Sequence, residues 1–292
     1  MSSCALCPRT CGADRAAGEI GLCHTAADIL VARAAPHHFE EPPISGTRGS
    51  GTVFFSGCSL SCIFCQNAAI SRTAVGRRVT EEELAALLFR MQETGVHNLN
   101  LVTATHYTDR VARVLEGIRS RLKIPVVWNS SGYESPQTLR LLEGLVDIYL
   151  PDFKYASPAL SDAFSGVSDY AEVAAAALGE MYRQVGAVSF DENGLLKKGV
   201  VVRHLLLPGY RGDSCAVLEL LAKTLPVADV RLSLMRQYTP DFAPKTAPKS
   251  LLRRVTSFEY DAVLEKATSL GFLGFSQDKS AATAAFTPDF EV

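Results

Sequence analysis

Three cysteines, Cys58, Cys62 and Cys65, stand at CxxxCxxC spacing in the segment Gly57-Cys58-Ser59-Leu60-Ser61-Cys62-Ile63-Phe64-Cys65-Gln66-Asn67. Thiolates are soft ligands, and three at this spacing can bind three irons of a [4Fe–4S] cluster. The absent fourth thiolate matters most, because it leaves one iron open to an outside ligand. A structural zinc site would need a fourth protein ligand nearby, and the local sequence offers none. More than 20 residues separate Gly57 from the helical pattern that begins at Thr80, and loops of that length in compact domains usually carry function.

A second set, Cys4-x2-Cys7-x3-Cys11-x11-Cys23, supplies four thiolates. Four close a tetrahedral zinc site or fully ligate an iron–sulfur cluster, and the spacing leaves both readings open. Seven of the eight cysteines fall in the first 65 residues, a clustering that argues for metal or redox chemistry over a disulfide framework. The eighth, Cys215, stands alone on an expected helix and reads as a small buried side chain. His37, His38, Glu40 and Glu41 precede Pro42-Pro43, where the paired prolines argue against a helix. That stretch is either a solvated linker or a lid or ligand reaching toward the active centre.

The elements that must position these residues begin near Gly51. Apolar runs at 52–56, 99–103, 125–129, 146–150, 200–207, 230–235 and 272–275 read as strands buried on both faces of a parallel sheet. Helical patterns alternate with them at 80–95, 108–121, 136–145, 170–186, 214–224 and 259–270. The first opens with Thr80 and Glu83 as a capping box. Repeated βα units imply a parallel α/β fold, either a barrel or an open doubly wound sheet, with chemistry at the C-terminal strand ends. Those ends carry Cys58, Thr103 to His106, Asn129 to Ser131, Asp152 to Lys154, and Gln237-Tyr238. The chain divides at sequence level into a Cys-rich extension, 1–45, and the α/β unit, 46–292.

Composition excludes several classes. At 47% hydrophobic and 21% charged residues, the 292-residue chain is too apolar for a disordered protein. A net charge of −2 gives no basic footprint for nucleic acid. No apolar run reaches the roughly 18 residues that a membrane span requires, and the N-terminus lacks a signal peptide's apolar core. The expected location is cytoplasmic, with neither membrane nor nucleic acid as a partner.

The three-cysteine loop, with Phe64 before its last cysteine, resembles the radical S-adenosylmethionine superfamily. Further motifs are similar to pyruvate formate-lyase activating enzyme and its uncharacterised relatives: Phe54-Phe55-Ser56-Gly57-Cys58, Cys65-Gln66-Asn67, Asn100-Leu101-Val102-Thr103, Ser131-Gly132-Tyr133, Asp152-Phe153-Lys154, Arg203-His204, Leu207-Pro208-Gly209 and Gln237-Tyr238-Thr239-Pro240. The resemblance spans nearly the whole chain. It implies a partial (βα)6 barrel with the cluster at its C-terminal mouth, where S-adenosylmethionine chelates the open iron. Reductive cleavage then releases a 5′-deoxyadenosyl radical that abstracts hydrogen from a substrate.

By this resemblance, Asn129 is a ribose contact, Lys154 of the Asp152-x-Lys154 element meets the cofactor carboxylate, and Phe64 and Ser131 belong to the same pocket. Asp152 and Lys154 are otherwise an ion pair at the surface. Arg203 interrupts an apolar run, so its guanidinium must find a carboxylate, cofactor or substrate. His204 points to the opposite face and is structural. Where many members carry a Gly-Gly-Glu-like element, this chain has Thr103-Ala104-Thr105-His106-Tyr107. Thr105 or a backbone carbonyl would then replace the glutamate, and His106 either faces the substrate as a catalytic group or is held as scaffold. The implied partners are a protein or peptide substrate, with a glycyl-radical enzyme as the family's example and another macromolecule or a small molecule as the alternative, and an electron donor such as flavodoxin or ferredoxin. A non-catalytic iron–sulfur or zinc redox protein is the alternative.

Overall fold

The computed structural model describes residues 3–281 and Phe290. The end of the 46–292 unit, apart from Phe290, lies outside the described residues. An antiparallel strand that the sequence reading did not anticipate starts the sheet. It is β1 (Ile29–His37), which pairs on one side with β2 (Ser50–Phe55) and on the other with β3 (Arg77–Val79). From β2 onward the sheet is parallel, through β4 (Leu99–Val102), β5 (Val126–Ser130) and β6 (Ile148–Pro151). A short β7 (Ser189–Phe190) pairs antiparallel with β8 (Leu196–Leu205), and β9 (Arg231–Met235) and β10 (Gly274–Ser276) complete the parallel set. The order β10-β9-β8-β6-β5-β4-β2-β1-β3 leaves two open edges, so the sheet is unclosed, as in a partial barrel.

Every residue of β2, β4, β5 and β6 is buried, which is why these strands read as continuous apolar runs. Strand periodicity sorts the two faces. Leu99, Leu101, Trp128, Tyr149, Val200 and Val202 face the main core. Val127, Ile148, Leu150 and Val201 point to the other face, into the concave interior.

The helices α1 (Pro42–Ser45), α2 (Ala68–Ser71), α3 (Glu81–Glu93), α4 (Thr108–Ile118), α5 (Pro136–Leu139), α6 (Pro158–Ser165), α7 (Tyr170–Val185), α8 (Arg211–Thr224) and α9 (Ser257–Ser269) link the strands. Thr80 and Glu83 form the expected capping box on α3. The expected helix over 136–145 is instead a single α turn followed by a 3-10 turn, Arg140–Leu142. Helix α6 was not foreseen. Its small polar residues hide the pattern, but Ser157 caps it by accepting from the Leu160 N–H, and Pro158 suits its first position.

The Pro42-Pro43 expectation is also corrected, because both prolines sit in the first turn of α1, where a helix does not use their missing N–H groups. This turn plugs the interior. Ile44 is fully buried against Val127, Ile148, Leu150, Leu196 and Val201. Asn98 Nδ2 donates to the Ile44 carbonyl at 2.7 Å. Truncating Ile44 to alanine is expected to lower the unfolding free energy by roughly 2–5 kcal/mol, read as a reduced urea midpoint at unchanged slope.

Candidate active site

The C-terminal ends of β2, β4, β5, β6, β8 and β9 converge on a cleft of roughly 1120 Å³ that opens to solvent. Its first wall is the cysteine loop. Gly57 starts that loop at φ +89°, and a Cβ there would lie 2.4 Å from the Cys23 carbonyl oxygen, so only glycine fits. Helix α6 braces the loop from the side. The N–H groups of Ser61 and Ile63 donate to the carbonyls of Ser165 and Phe164 at 3.2 and 2.9 Å, and Ser165 Oγ lies 3.0 Å from Cys62 Sγ. Phe64 packs edge-on against Tyr238 with ring centroids 5.9 Å apart.

Cys58, Cys62 and Cys65 all line the cleft and lie within electrostatic reach of one another. Burial pushes the Cys58 thiol up to about 12, with the neighbouring Cys62 adding to the effect, and burial raises Cys62 as well. Loading a metal on such thiols displaces their protons. Among the described residues, no three His, Cys, Asp or Glu side chains are arranged to hold a single metal ion. The donor set, three thiols and no fourth ligand on one cleft wall, suits the open-iron cluster.

A buried polar layer forms the floor. Lys154 Nζ and Asp152 Oδ2 lie 2.6 Å apart, and Arg203 Nε donates to Asp152 Oδ1 at 3.0 Å. Arg203 also donates to Asn129 Oδ1 at 2.6 Å and reaches Glu40 Oε2 at 3.4 Å. Glu40 Oε1 accepts from Asn100 and Asn129 at 3.0 and 3.3 Å. Glu40 is thus neither a solvated linker residue nor a lid at the mouth, because α1 draws it inside the barrel.

Burial alone would raise the Asp152 carboxyl, but the Lys154 and Arg203 charges outweigh burial and hold it below the usual range. Burial opposes the charged forms of Lys154 and Arg203, and the Asp152 carboxylate overrides it, raising both. Burial pushes the Glu40 carboxyl upward. Lys154 and Arg203 present their cationic groups at the cleft. An anionic group of a ligand would be drawn there.

Phe64, Asn129, Ser131, Asp152, Lys154 and Arg203 therefore gather with the three thiols around one cleft. Thr105 and His106 do not. Thr105 Oγ1 donates at 2.7 Å to Glu134, a buried carboxyl that also accepts from Trp128 Nε1 and Ser130 Oγ at 2.9 Å. His106 is buried with Nε2 2.7 Å from the Ser56 carbonyl oxygen. The residue of this turn that lines the cleft is Thr103, at φ +61°, a left-handed conformation costly for a β-branched side chain. His204 faces away from the interior, as expected, with Nδ1 2.7 Å from the Phe153 carbonyl oxygen.

Asn67 lines the same cleft with a buried Oδ1 that has no partner among the described residues, an atom left available to a ligand. The sequence reading missed Asn67 and Asn100 as individual site residues. Asn100 had a signal, a polar side chain in an apolar run at the interior-facing position. All eight cysteines are free, and Cys215 is partly rather than fully buried, packed against the main core.

An unclosed, mostly parallel sheet with three partly buried thiols and a cation pair at its C-terminal mouth suits a cofactor-dependent iron–sulfur enzyme. The model of the Radical SAM superfamily matches residues 52–213, more than half of the chain, and the chain belongs to that superfamily. Membership brings a [4Fe–4S] cluster and S-adenosylmethionine as cofactors.

The uncharacterized protein MJ0674 of Methanocaldococcus jannaschii is 30% identical over 230 residues, covering 75% of this chain. The chain spans 62% of that relative's length. A radical SAM methyltransferase from Sphaerobacter thermophilus shares the fold at a TM-score of 0.50 and 19% identity, covering 79% of this chain and 68% of the other. SuiB of Streptococcus suis, solved bound to its precursor peptide SuiA, aligns at a TM-score of 0.51 and 14% identity, covering 78% of this chain and 48% of the other. Among the described residues no helix is long and apolar enough to cross a membrane.

Burial lowers the His106 imidazole to about 3, against the Ser56 hydrogen bond that favours its charged form. An unfolded histidine titrates near 6.5, so on acidification the unfolded chain takes this proton first and stability is lost as pH falls below about 6.5. In a His106→Gln variant that loss disappears. The stability advantage of wild type over variant should shrink by about 1.4 kcal/mol per pH unit between pH 6 and 4, measured by urea unfolding.

Proposed function

We propose that Cys58, Cys62 and Cys65 hold the [4Fe–4S] cluster and that the cleft beside them binds S-adenosylmethionine for reductive cleavage. When bound, the reduced cluster supplies the electron that breaks the sulfonium C–S bond and yields a 5′-deoxyadenosyl radical. The observation that carries this reading is the convergence of Lys154, Asp152, Arg203 and Asn129 with the three thiols on one cleft.

Each residue then has a task. Lys154 meets the cofactor carboxylate as a point charge, and Asp152 holds Lys154 in place from below. Asn129, fixed by Arg203, presents its amide to the ribose, and Ser131 lines the wall next to it. Phe64 and Tyr238 shield the cluster side of the cleft from water. Thr103 and nearby backbone stand in for the absent Gly-Gly-Glu-like element. Thr105 and His106 support that turn from beneath, with His106 as scaffold.

The reaction we favour is hydrogen abstraction from a glycine of a protein or peptide, as in the activation of a glycyl-radical enzyme. The motifs shared with pyruvate formate-lyase activating enzyme support it. The electron donor in this reading is a flavodoxin or ferredoxin, and the setting is cytoplasmic.

Anaerobic reconstitution with iron and sulfide, followed by dithionite and S-adenosylmethionine, should yield 5′-deoxyadenosine and methionine. A fully loaded cluster that forms neither would overturn the proposal. Cys62→Ala should remove the site-differentiated cluster's absorbance and all cleavage. Lys154→Ala should instead keep the cluster while weakening S-adenosylmethionine binding by about tenfold or more, the size of a lost charge-assisted contact.

A further inference from the structure

The N-terminal cysteines gather in space. Cys7 lies within electrostatic reach of Cys4, Cys11 and Cys23, and Cys4 hydrogen-bonds with Cys11. A Cβ built on Gly21 would stand 3.3 Å from Cys11 Sγ and 3.4 Å from Cys23 Sγ, so this glycine sits between two thiols. The backbone turns its donors toward them. The Arg9 N–H points to the Cys7 sulfur, and the Ala13 and Leu22 N–H groups point to Cys11. Thr10 and His24, each adjacent to one of these cysteines, hold left-handed φ values of +38° and +65°. Strain of that kind persists only where the surroundings fix it.

Two further observations point to a bound metal. The first is the lack of any other core. Over residues 3–28 the regular structure is one 3-10 turn, and the buried side chains are Cys7, Arg15, Cys23 and Thr25. No aliphatic side chain is buried there, and such a segment needs a staple. The second is Arg15, whose guanidinium is buried yet has no carboxylate partner among the described residues. It donates to the His106 and Ala26 carbonyls at 2.5 and 2.6 Å and stands 4.0 Å from Cys4 Sγ. A buried cation needs a counter-charge, and four thiolates on a divalent metal or a cluster carry a net negative one.

The site also abuts the catalytic loop. The Cys58 N–H donates to the Cys23 carbonyl at 3.2 Å, at the same contact where Gly57 admits no side chain. We propose that Cys4, Cys7, Cys11 and Cys23 form a closed four-thiolate metal centre that clamps the start of the cluster loop and positions Cys58. The centre takes an iron–sulfur cluster, since no three of these side chains close around a single ion.

The full chain carrying Cys58→Ala, Cys62→Ala and Cys65→Ala isolates this centre from the first, so its result does not depend on S-adenosylmethionine cleavage. Metal and sulfide analysis of that variant should find iron with sulfide, bound in a fixed ratio to protein. Further exchange of Cys7→Ser and Cys11→Ser should release it. Absence of iron from the variant, after growth with iron and reconstitution, would overturn the proposal. Because that variant could misfold, the second measurement uses Cys11→Ser in the otherwise native chain, checked by far-ultraviolet circular dichroism. It should lose the N-terminal metal and shift the electron paramagnetic resonance spectrum of the loop's reduced cluster. An unchanged metal content and spectrum would count against the centre and its coupling to Cys58.

Discussion

A guanidinium inside a parallel sheet must be neutralised where it stands, and much of this site follows from that constraint. Arg203 lies on the interior face of β8, and leaving its charge unpaired there would cost several kcal/mol. Asp152 meets it from the end of β6 and Glu40 from the segment before α1. The contact falls at a short seam. Strands β6 and β8 pair over only two register positions, followed by an isolated bridge between Asp152 and Arg203. The Phe153 N–H also donates to the Arg203 carbonyl at 2.7 Å, so backbone and side chains together close the seam at its upper end. One ion pair thus joins two strands and sets the position of Lys154.

The same pair divides the interior into layers. Below it, Ile44 and the apolar residues of β5, β6 and β8 form an apolar plug. Above it, Lys154 and Asn129 face the cleft with the three thiols. Glu40 couples the two, since the plug that buries Ile44 also delivers Glu40 to Arg203.

Much of this was legible in the sequence. The parallel strands declared themselves as apolar runs because both faces are covered, and the spacing of Cys58, Cys62 and Cys65 pointed to the superfamily to which the chain belongs. Arg203 could be read as a paired interior charge from its place in an apolar run alone. What stayed hidden depended on long-range packing. Strand β1, with Pro36 and a run of partly buried residues instead of an alternation, has no strong strand pattern and exists because it pairs with both β2 and β3. Glu40 looked like part of a polar linker, since nothing local reveals that α1 carries it inward. His106 looked reactive at a strand end, yet the turn after Thr103 rotates it under the mouth to the Ser56 carbonyl.

The central claim is that Arg203 and Asp152 act as one unit that supports both the sheet seam and the cofactor pocket. A double-mutant cycle with Asp152→Asn and Arg203→Gln tests it most directly, with urea unfolding and S-adenosylmethionine affinity measured on each chain. The account predicts non-additive losses in both, with a coupling of about 0.5–3 kcal/mol, the range for residues in direct contact. Additive losses within about 0.3–0.5 kcal/mol, as for independent sites, would contradict it.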